Sequence, residues 1–370
     1  MKKICFIGRD NYPLLNPANG KEYFGGESVQ QTLLAKAFRD KGYEVSMITK
    51  DHGQPDGEVV DGIKVWKMMR DGAGLPVVRF FHPRMTSLYR AFKNADADVY
   101  FQSCAGFFTG ATAWYCNKNA RKFIFRVAHD TDCIPGEYLI GRPYWRDSRI
   151  YEYGLKRADL ISAQSTIQQD LLEKNYGLKS QLINMVVELP QEAEQAERDI
   201  DILWVNNIRP FKRPELAVQL ARLVPEYRVV MIGGPIQGYE ELYNSIKEES
   251  AGVDNLEYLG QVPYAKVNDY FQRTKVFINT SDSEGFPNSF LQAWIRGVPV
   301  FSFFDPDHLI DRNGLGEVPS DVNDMAARLN RLLADQGRLN QLSEKVKHHA
   351  TAHYSPNSVV DKYIDWIESQ

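Results

Sequence analysis

The run 281–300, SDSEGFPNSFLQAWIRGVPV, holds the densest group of side chains able to do chemistry. Pro287 suits the first turn of a helix that ends before Gly297. That spacing puts Glu284 and Gly285 in the loop above the helix N-terminus, with Phe286 next and the amides of Asn288 and Ser289 beside the carboxylate. A carboxylate there accepts hydrogen bonds from sugar hydroxyls, and the amides can donate to a phosphate. Gln292 lies further down the same helix. A helix-capping glutamate is the plain structural alternative.

A second stretch, NNIRPFKRP (206–214), offers Arg209, Lys212 and Arg213 around two prolines. A lysine in such a loop is a compact positive charge. At partial burial two unit charges ~4 Å apart interact by about 4 kcal/mol, enough to hold a diphosphate and to ease its departure. A solvated basic loop is the competing reading. His129 and Asp130 follow the apolar FIFRVA, where a strand should end. Gly25 and Gly26 precede a helical pattern, so backbone amides there can meet an anion at close range. The loop before them is long and lacks G-x-G-x-x-G spacing, which disfavours a dinucleotide cofactor. Asp-x-Asp occurs at 96–98, 130–132, 199–201 and 305–307, too often to single out one metal site, and none is expected. The segment RFFHPRMTSLYRAFK (79–93) interleaves cations with aromatics. It could touch an anionic membrane surface, or bury its rings and let the cations reach out to water.

These residues need elements to position them. ICFIG, a long polar loop, GESVQQTLLAKAFRDKG and YEVSMIT read as strand, loop, helix and strand, a parallel βαβ unit. Further strands are expected at 99–101, 123–127 and in ADLISAQS (158–165). The polar, acidic stretch 188–200 reads as a linker. Strand and helix signals then restart: DILWV, PELAVQLARLV, YRVVMIGG, LEYLG, KVFINTS and VPVFSFF. The fold class is α/β, with two doubly wound parallel-sheet domains facing a cleft, and ligands belong beyond the carboxyl ends of the strands. The expected boundaries are residues 1–188 for the first domain, 189–354 for the second and 355–370 for an amphipathic terminal helix.

Composition narrows the class. The chain has 370 residues, 43% hydrophobic and 25% charged, an ordinary globular balance. Net charge is −4, split as +5 over residues 1–190 and −9 over 191–370. An acidic total argues against nucleic acid as a partner. No apolar run reaches the ~18 residues of a membrane span, and MKKICFIGRD breaks too soon for a signal peptide, so a cytoplasmic setting is expected, with any membrane contact peripheral and made by the first domain. Four cysteines without C-x-x-C spacing read as reduced thiols.

Taken together, FGGESVQQTLLAKAFRDKGYEVSMIT, ADLISAQS, VVMIGG, EYLGQVPYAKVNDYF and SDSEGFPNSFLQAWIRGVPV resemble the family 4 glycosyltransferases of the GT-B fold over nearly the whole chain. The resemblance implies retaining transfer of a hexose-type sugar from a UDP- or GDP-sugar to a glycan or lipid-linked acceptor, in bacterial surface polysaccharide synthesis, with no metal and no cofactor beyond the donor. It implies a terminal helix that crosses back to the first domain. On that reading Glu284 contacts donor sugar hydroxyls, Lys212 binds the diphosphate, and Gly233 with the Gly260–Val262 turn borders the nucleotide. His129 lies near the donor sugar and acceptor, and Gly25 and Gly26 approach the diphosphate. Three positions depart from the pattern. Gln292 stands where the family has a second acid, and an amide still bonds a hydroxyl. Asn207 stands where it has an arginine, which Arg209 can replace. Residues 184–187 read Asn-Met-Val-Val, against Asn-Gly-Val-Asp near the family's hinge. A nucleotide-sugar 2-epimerase and a non-catalytic nucleotide-sugar-binding subunit are the alternatives.

Overall fold

The computed structural model describes residues 2–19, 25–75, 78–137, 145–190, 197–282, 284 and 286–370. Gly285 and the central part of the expected linker, 191–196, lie outside the described residues. The chain forms two units, Met1–Val186 with Pro356–Gln370, and Val187–Ser355.

Among the described residues the first unit carries β1 (Lys3–Ile7), β2 (Glu44–Lys50), β3 (Glu58–Val60), β4 (Ile63–Met68), β5 (Val99–Ser103), β6 (Lys122–Arg126), β7 (Leu160–Ala163) and β8 (Gln181–Leu182). They form one sheet in the order β3-β4-β2-β1-β5-β6-β7-β8, with only β3–β4 antiparallel. Ile4, Cys5, Phe6, Tyr100 and Phe101 are wholly buried, as strands covered on both faces must be. The β3–β4 hairpin is absent from the sequence reading. Its two-residue turn is Asp61-Gly62, both at positive φ (49° and 72°), the geometry that Asp-Gly favours in tight hairpins.

Two helices of this unit, Phe107–Asn119 and Trp145–Leu155, cross at glycines. A Cβ on Gly110 would stand 2.1 Å from the Ile150 carbonyl oxygen, and one on Gly154 would stand 2.5 Å from that of Thr109. The helix Pro356–Glu368 completes the core on the other face: Val359, Val360, Tyr363 and Ile367 are buried in one cluster with Phe6, Phe38 and Phe101. Tyr363 Oη pairs with Ser162 Oγ at 2.9 Å, and Lys41 binds Asp361 at 2.7 Å.

The second unit carries β9 (Ile200–Val205), β10 (Val229–Ile232), β11 (Leu256–Gly260), β12 (Thr274–Asn279), β13 (Val300–Ser302) and β14 (Gly316–Glu317). Its sheet runs β11-β10-β9-β12-β13-β14, all parallel. In both sheets the first strand ends up inside, with β1 between β2 and β5 and β9 between β10 and β12. The crossovers therefore diverge above β1/β5 and above β9/β12, the points where open α/β sheets bind ligands. Two boundaries differ from expectation. The helix after residue 286 spans Asn288–Trp294, with Pro287 as its N-cap rather than inside its first turn. The strand before His129 stops at Arg126, because a short turn of helix, Asp130–Cys133, takes over.

Gly110→Ala is expected to destabilise the protein by about 1–3 kcal/mol, the usual effect of overpacking a close contact. Gly25→Ala, whose Cβ would meet nothing within 4 Å, should change stability by less than about 0.5 kcal/mol. Urea unfolding of both variants checks this, and equal small effects would show that the two helices can part without loss.

Candidate functional site

Lys212 and Glu284 come from the two loops that diverge above β9 and β12. Their side chains meet at 2.5 Å (Nζ to Oε2) and are only 13% and 12% exposed. Asn279, the last residue of β12, builds the acid's seat. Its Oδ1 accepts the Ser281 N–H at 2.7 Å, turning the chain, while its Nδ2 donates to Glu284 Oε1 at 2.9 Å. Ser281 Oγ donates to the same oxygen at 2.6 Å. Both Glu284 oxygens are thus engaged, so the carboxylate is fixed in place. Sequence reading gave Asn279, Thr280 and Ser281 no role of their own, and the polar triplet after KVFI was their one signal.

The lysine's loop is pinned to its neighbour. Arg213 adopts φ +48°, closing the turn Pro210–Lys212 and starting the helix at Pro214. Thr280 Oγ1 lies 2.8 Å from the Lys212 carbonyl oxygen and accepts from the Trp204 indole at 2.9 Å. The Asp282 N–H donates to Phe211 O at 2.9 Å, and Arg213 binds Asp282 at 3.0 Å. Burial pushes the Lys212 ammonium below the ordinary lysine value of 10.5; Glu284 opposes that shift and Arg209 adds to it. Asn206 Nδ2 and Arg209 Nε, in the same loop, are buried donors with no hydrogen-bond partner among the described residues. Buried donors of this kind are uncommon and suit a site where a ligand brings the acceptor.

Gly233 borders this loop. A Cβ there would stand 2.4 Å from the Asn206 carbonyl oxygen, so no other residue fits without a backbone shift. Its N–H donates to Gly260 O at 2.8 Å, Gly260 sits at φ +68°, and Val262 is half-buried just beyond. The other expected residues are placed differently. The Phe286 ring packs on Trp294 and Tyr354, with centroids 6.2 and 5.9 Å away, and so anchors its loop to the core. Gln292 Nε2 donates to Asn268 Oδ1 at 3.0 Å. Asn288 and Ser289 open the helix behind Pro287, and Asn207 is exposed.

On the first unit, Gly25 is an extended, exposed N-cap without a side-chain cap, and Gly26 starts the helix Gly26–Asp40. Glu27 of that first turn binds the buried Arg126 through both carboxylate oxygens, at 3.0 and 2.9 Å, and also accepts from Ser103 Oγ. Gln31 joins Ser103 to Asn11, at 2.6 and 3.0 Å. Sequence reading missed this network, whose signal is an arginine closing the apolar FIFR. His129 is exposed and caps Asp130–Cys133: its ring accepts the Asp132 N–H, while Asp132 Oδ2 accepts those of His129 and Ala128 at 3.2 and 3.0 Å. Burial pushes the Asp132 carboxyl up. Among the described residues no group of three or more His, Cys, Asp or Glu side chains is placed to hold a metal ion, and no helix is long and apolar enough to cross a membrane.

Because Glu284 is what holds the Lys212 charge against burial, Glu284→Gln should lower the pH at which Lys212 loses its proton. NMR of labelled lysine side chains reads this directly, and an unmoved titration would show that the pair does not set the lysine's charge.

A family model described as Glycosyltransferase Family 4 matches residues 24–186, and one described as Glycosyl transferases group 1 matches residues 187–349. The chain is 27% identical over 220 residues to the O-antigen biosynthesis glycosyltransferase WbnH of Escherichia coli. That alignment covers 56% of this chain and 60% of the relative, less than two thirds of its length. A sucrose-phosphate synthase of Thermosynechococcus elongatus superposes with TM-score 0.75 at 16% identity, covering 100% of this chain and 99% of that one. HepE of Anabaena, solved with UDP and glucose, superposes with TM-score 0.72 at 13% identity over all of both chains. At those identities the likeness is one of fold, the GT-B pairing of two parallel-sheet α/β domains. With the two family models running end to end from residue 24 to residue 349, the chain belongs to the group 1, family 4 glycosyltransferases.

Proposed function

We propose that this protein transfers a hexose-type sugar from a UDP- or GDP-sugar to a glycan or lipid-linked acceptor in surface polysaccharide synthesis, with retention at the sugar carbon and without a metal. The observation that carries the reading is the Lys212–Glu284 pair above β9/β12, with Arg209 acting on the same lysine. A nucleotide diphosphate bound there meets two cations and the buried donors Asn206 Nδ2 and Arg209 Nε. Negative charge builds on the diphosphate as the sugar leaves, and preorganised cations stabilise that state more than the ground state. Glu284, fixed by Asn279 and Ser281, accepts from sugar hydroxyls and orients the sugar. The Gly233 backbone lets the nucleotide approach, and the Asn288 and Ser289 amides are further donors to the phosphates. The acceptor hydroxyl attacks on the face the nucleotide leaves. His129 is assigned to the acceptor side. The printed names of the relatives support this setting: WbnH is an O-antigen biosynthesis enzyme, and HepE was solved with UDP and glucose. A cytoplasmic place is part of the same proposal.

Lys212→Ala and Glu284→Ala should each lower kcat/KM for transfer by about 10²-fold or more, the scale of losing a charge contact made to the departing group. Product analysis with UDP- and GDP-sugars checks this. Transfer rates equal to the parent in both variants would reject the site, and an epimerised nucleotide-sugar formed without acceptor would replace the reaction. The pH dependence has a definite sign. The diphosphate needs charged Lys212, so donor affinity is full below the lysine's lowered pKa and falls as pH rises through it, sooner than 10.5 would dictate. Lys212→Arg should remove that alkaline loss.

A further inference from the structure

Wholly within the first unit lies a cavity of about 340 Å³ whose wall carries five cations, Arg9, Lys50, Arg79, Arg84 and Arg146, against one acid, Asp71. Arg9 and Lys50 are spoken for by Asp71, which binds both, and Lys50 also binds Asp10 at 2.8 Å. Arg79 and Arg84 have no ion pair among the described residues. The Arg84 guanidinium lies 3.8 Å from the ring centroid of Phe107, and that of Arg146 lies 4.5 Å from Phe80. Arg146 also pairs with Asp147 at 3.6 Å; a ring face steadies a guanidinium without neutralising it, so the surplus of positive charge in the cavity rests on Arg79 and Arg84. Burial pushes Arg84 below its ordinary value against Asp147, and Arg146, Arg9 and Arg79 push it the same way, which is what crowding of like charge does.

Two further features give the anion a shape. A second cavity, of about 230 Å³, shares Arg9, Arg84 and Phe108 with the first and reaches the carboxyl ends of β1 and β5, where Glu27, Gln31 and Ser103 offer hydroxyl partners. Next to wall residues Arg79 and Phe80 in the chain, Leu75, Val78 and Phe81 are 72%, 48% and 69% exposed, three large apolar side chains. The Phe81 ring touches that of Phe80 at 5.3 Å between centroids. A concentrated positive site beside an uncovered apolar rim suits an anion joined to a greasy chain. This also gives the basic aromatic segment 79–93 a use.

We propose that this cavity binds the phosphate or diphosphate group of an acceptor carried on an apolar lipid chain, with the chain on Leu75, Val78 and Phe81 and the acceptor sugar in the smaller cavity above β1/β5. The assignment rests on the transferase reading and narrows its acceptor to a lipid-linked one. Phosphate from a free anion would use the same cations but not the rim, and this separates the two sources.

The test is calorimetric titration of the full chain with farnesyl diphosphate, inorganic pyrophosphate and UDP. Farnesyl diphosphate should bind, and Arg79→Ala and Arg84→Gln should each weaken it about tenfold or more with UDP affinity unchanged. Arg79 is exposed, so its variant keeps the test valid if Arg84→Gln fails to fold. Phe81→Ser should weaken farnesyl diphosphate but not pyrophosphate, and Lys212→Ala should abolish UDP binding alone. Pyrophosphate binding as tightly as farnesyl diphosphate would overturn the lipid assignment in favour of a free anion. UDP bound while farnesyl diphosphate is not, or farnesyl diphosphate bound equally by parent and both arginine variants, would overturn this proposal alone. Failure of the parent to bind UDP and, in a parallel titration, GDP would overturn the transferase reading and this proposal with it.

Discussion

Parallel strands added on both sides of a starting strand force the chain to leave that strand in opposite directions, and the backbone cannot fill the space between. In this protein that constraint acts twice, above β1/β5 and above β9/β12. Each gap holds a half-buried charge that a closed core would not tolerate: Glu27 against Arg126 in one, Lys212 against Glu284 in the other. Burying an ion pair is weak evidence for stability, since desolvation offsets most of the attraction. Their position where the crossovers diverge is the better reason for their presence.

The two pairs are built in different ways. Arg126 is 1% exposed and meets both oxygens of Glu27, so its charge is matched in place. Lys212 meets one oxygen of Glu284, and Arg209 bears on it from another side. The first arrangement is complete as it stands and serves to hold the helix Gly26–Asp40 over the sheet. The second carries an excess of cation, together with buried donors that lack acceptors. On the proposed reading an anion would complete the second pair, whereas at the first it would displace Glu27.

Much of the frame was readable from sequence because its signals are local. Proline and glycine placed Lys212 and Glu284 in loops after strands, and apolar runs gave most of the parallel strands. The misses have physical causes. Glu58, Lys64 and Lys67 interrupt the apolar pattern of β3 and β4, so the Asp61-Gly62 turn went unread although its dipeptide was in view. Asn279 looks like one more strand residue, because what matters is which way each end of its amide points. Glu27 and Arg126 are 99 residues apart in the chain, and nothing in either neighbourhood announces the other. The cationic cavity draws on residues from 9 to 146, and only the cluster near 79–93 hinted at it.

The helix Pro356–Glu368 has an implication for how the molecule is made. Its Val359, Val360, Tyr363 and Ile367 fill a gap in the first unit's hydrophobic interior, yet they are made only after the whole of the second unit. The second unit is a continuous stretch and can consolidate while translation proceeds. The earlier-synthesised unit must wait, with Phe6, Phe38 and Phe101 incompletely covered, until the helix Pro356–Glu368 emerges. Nascent chains stalled just before Pro356 would carry a finished younger unit and an unfinished older one.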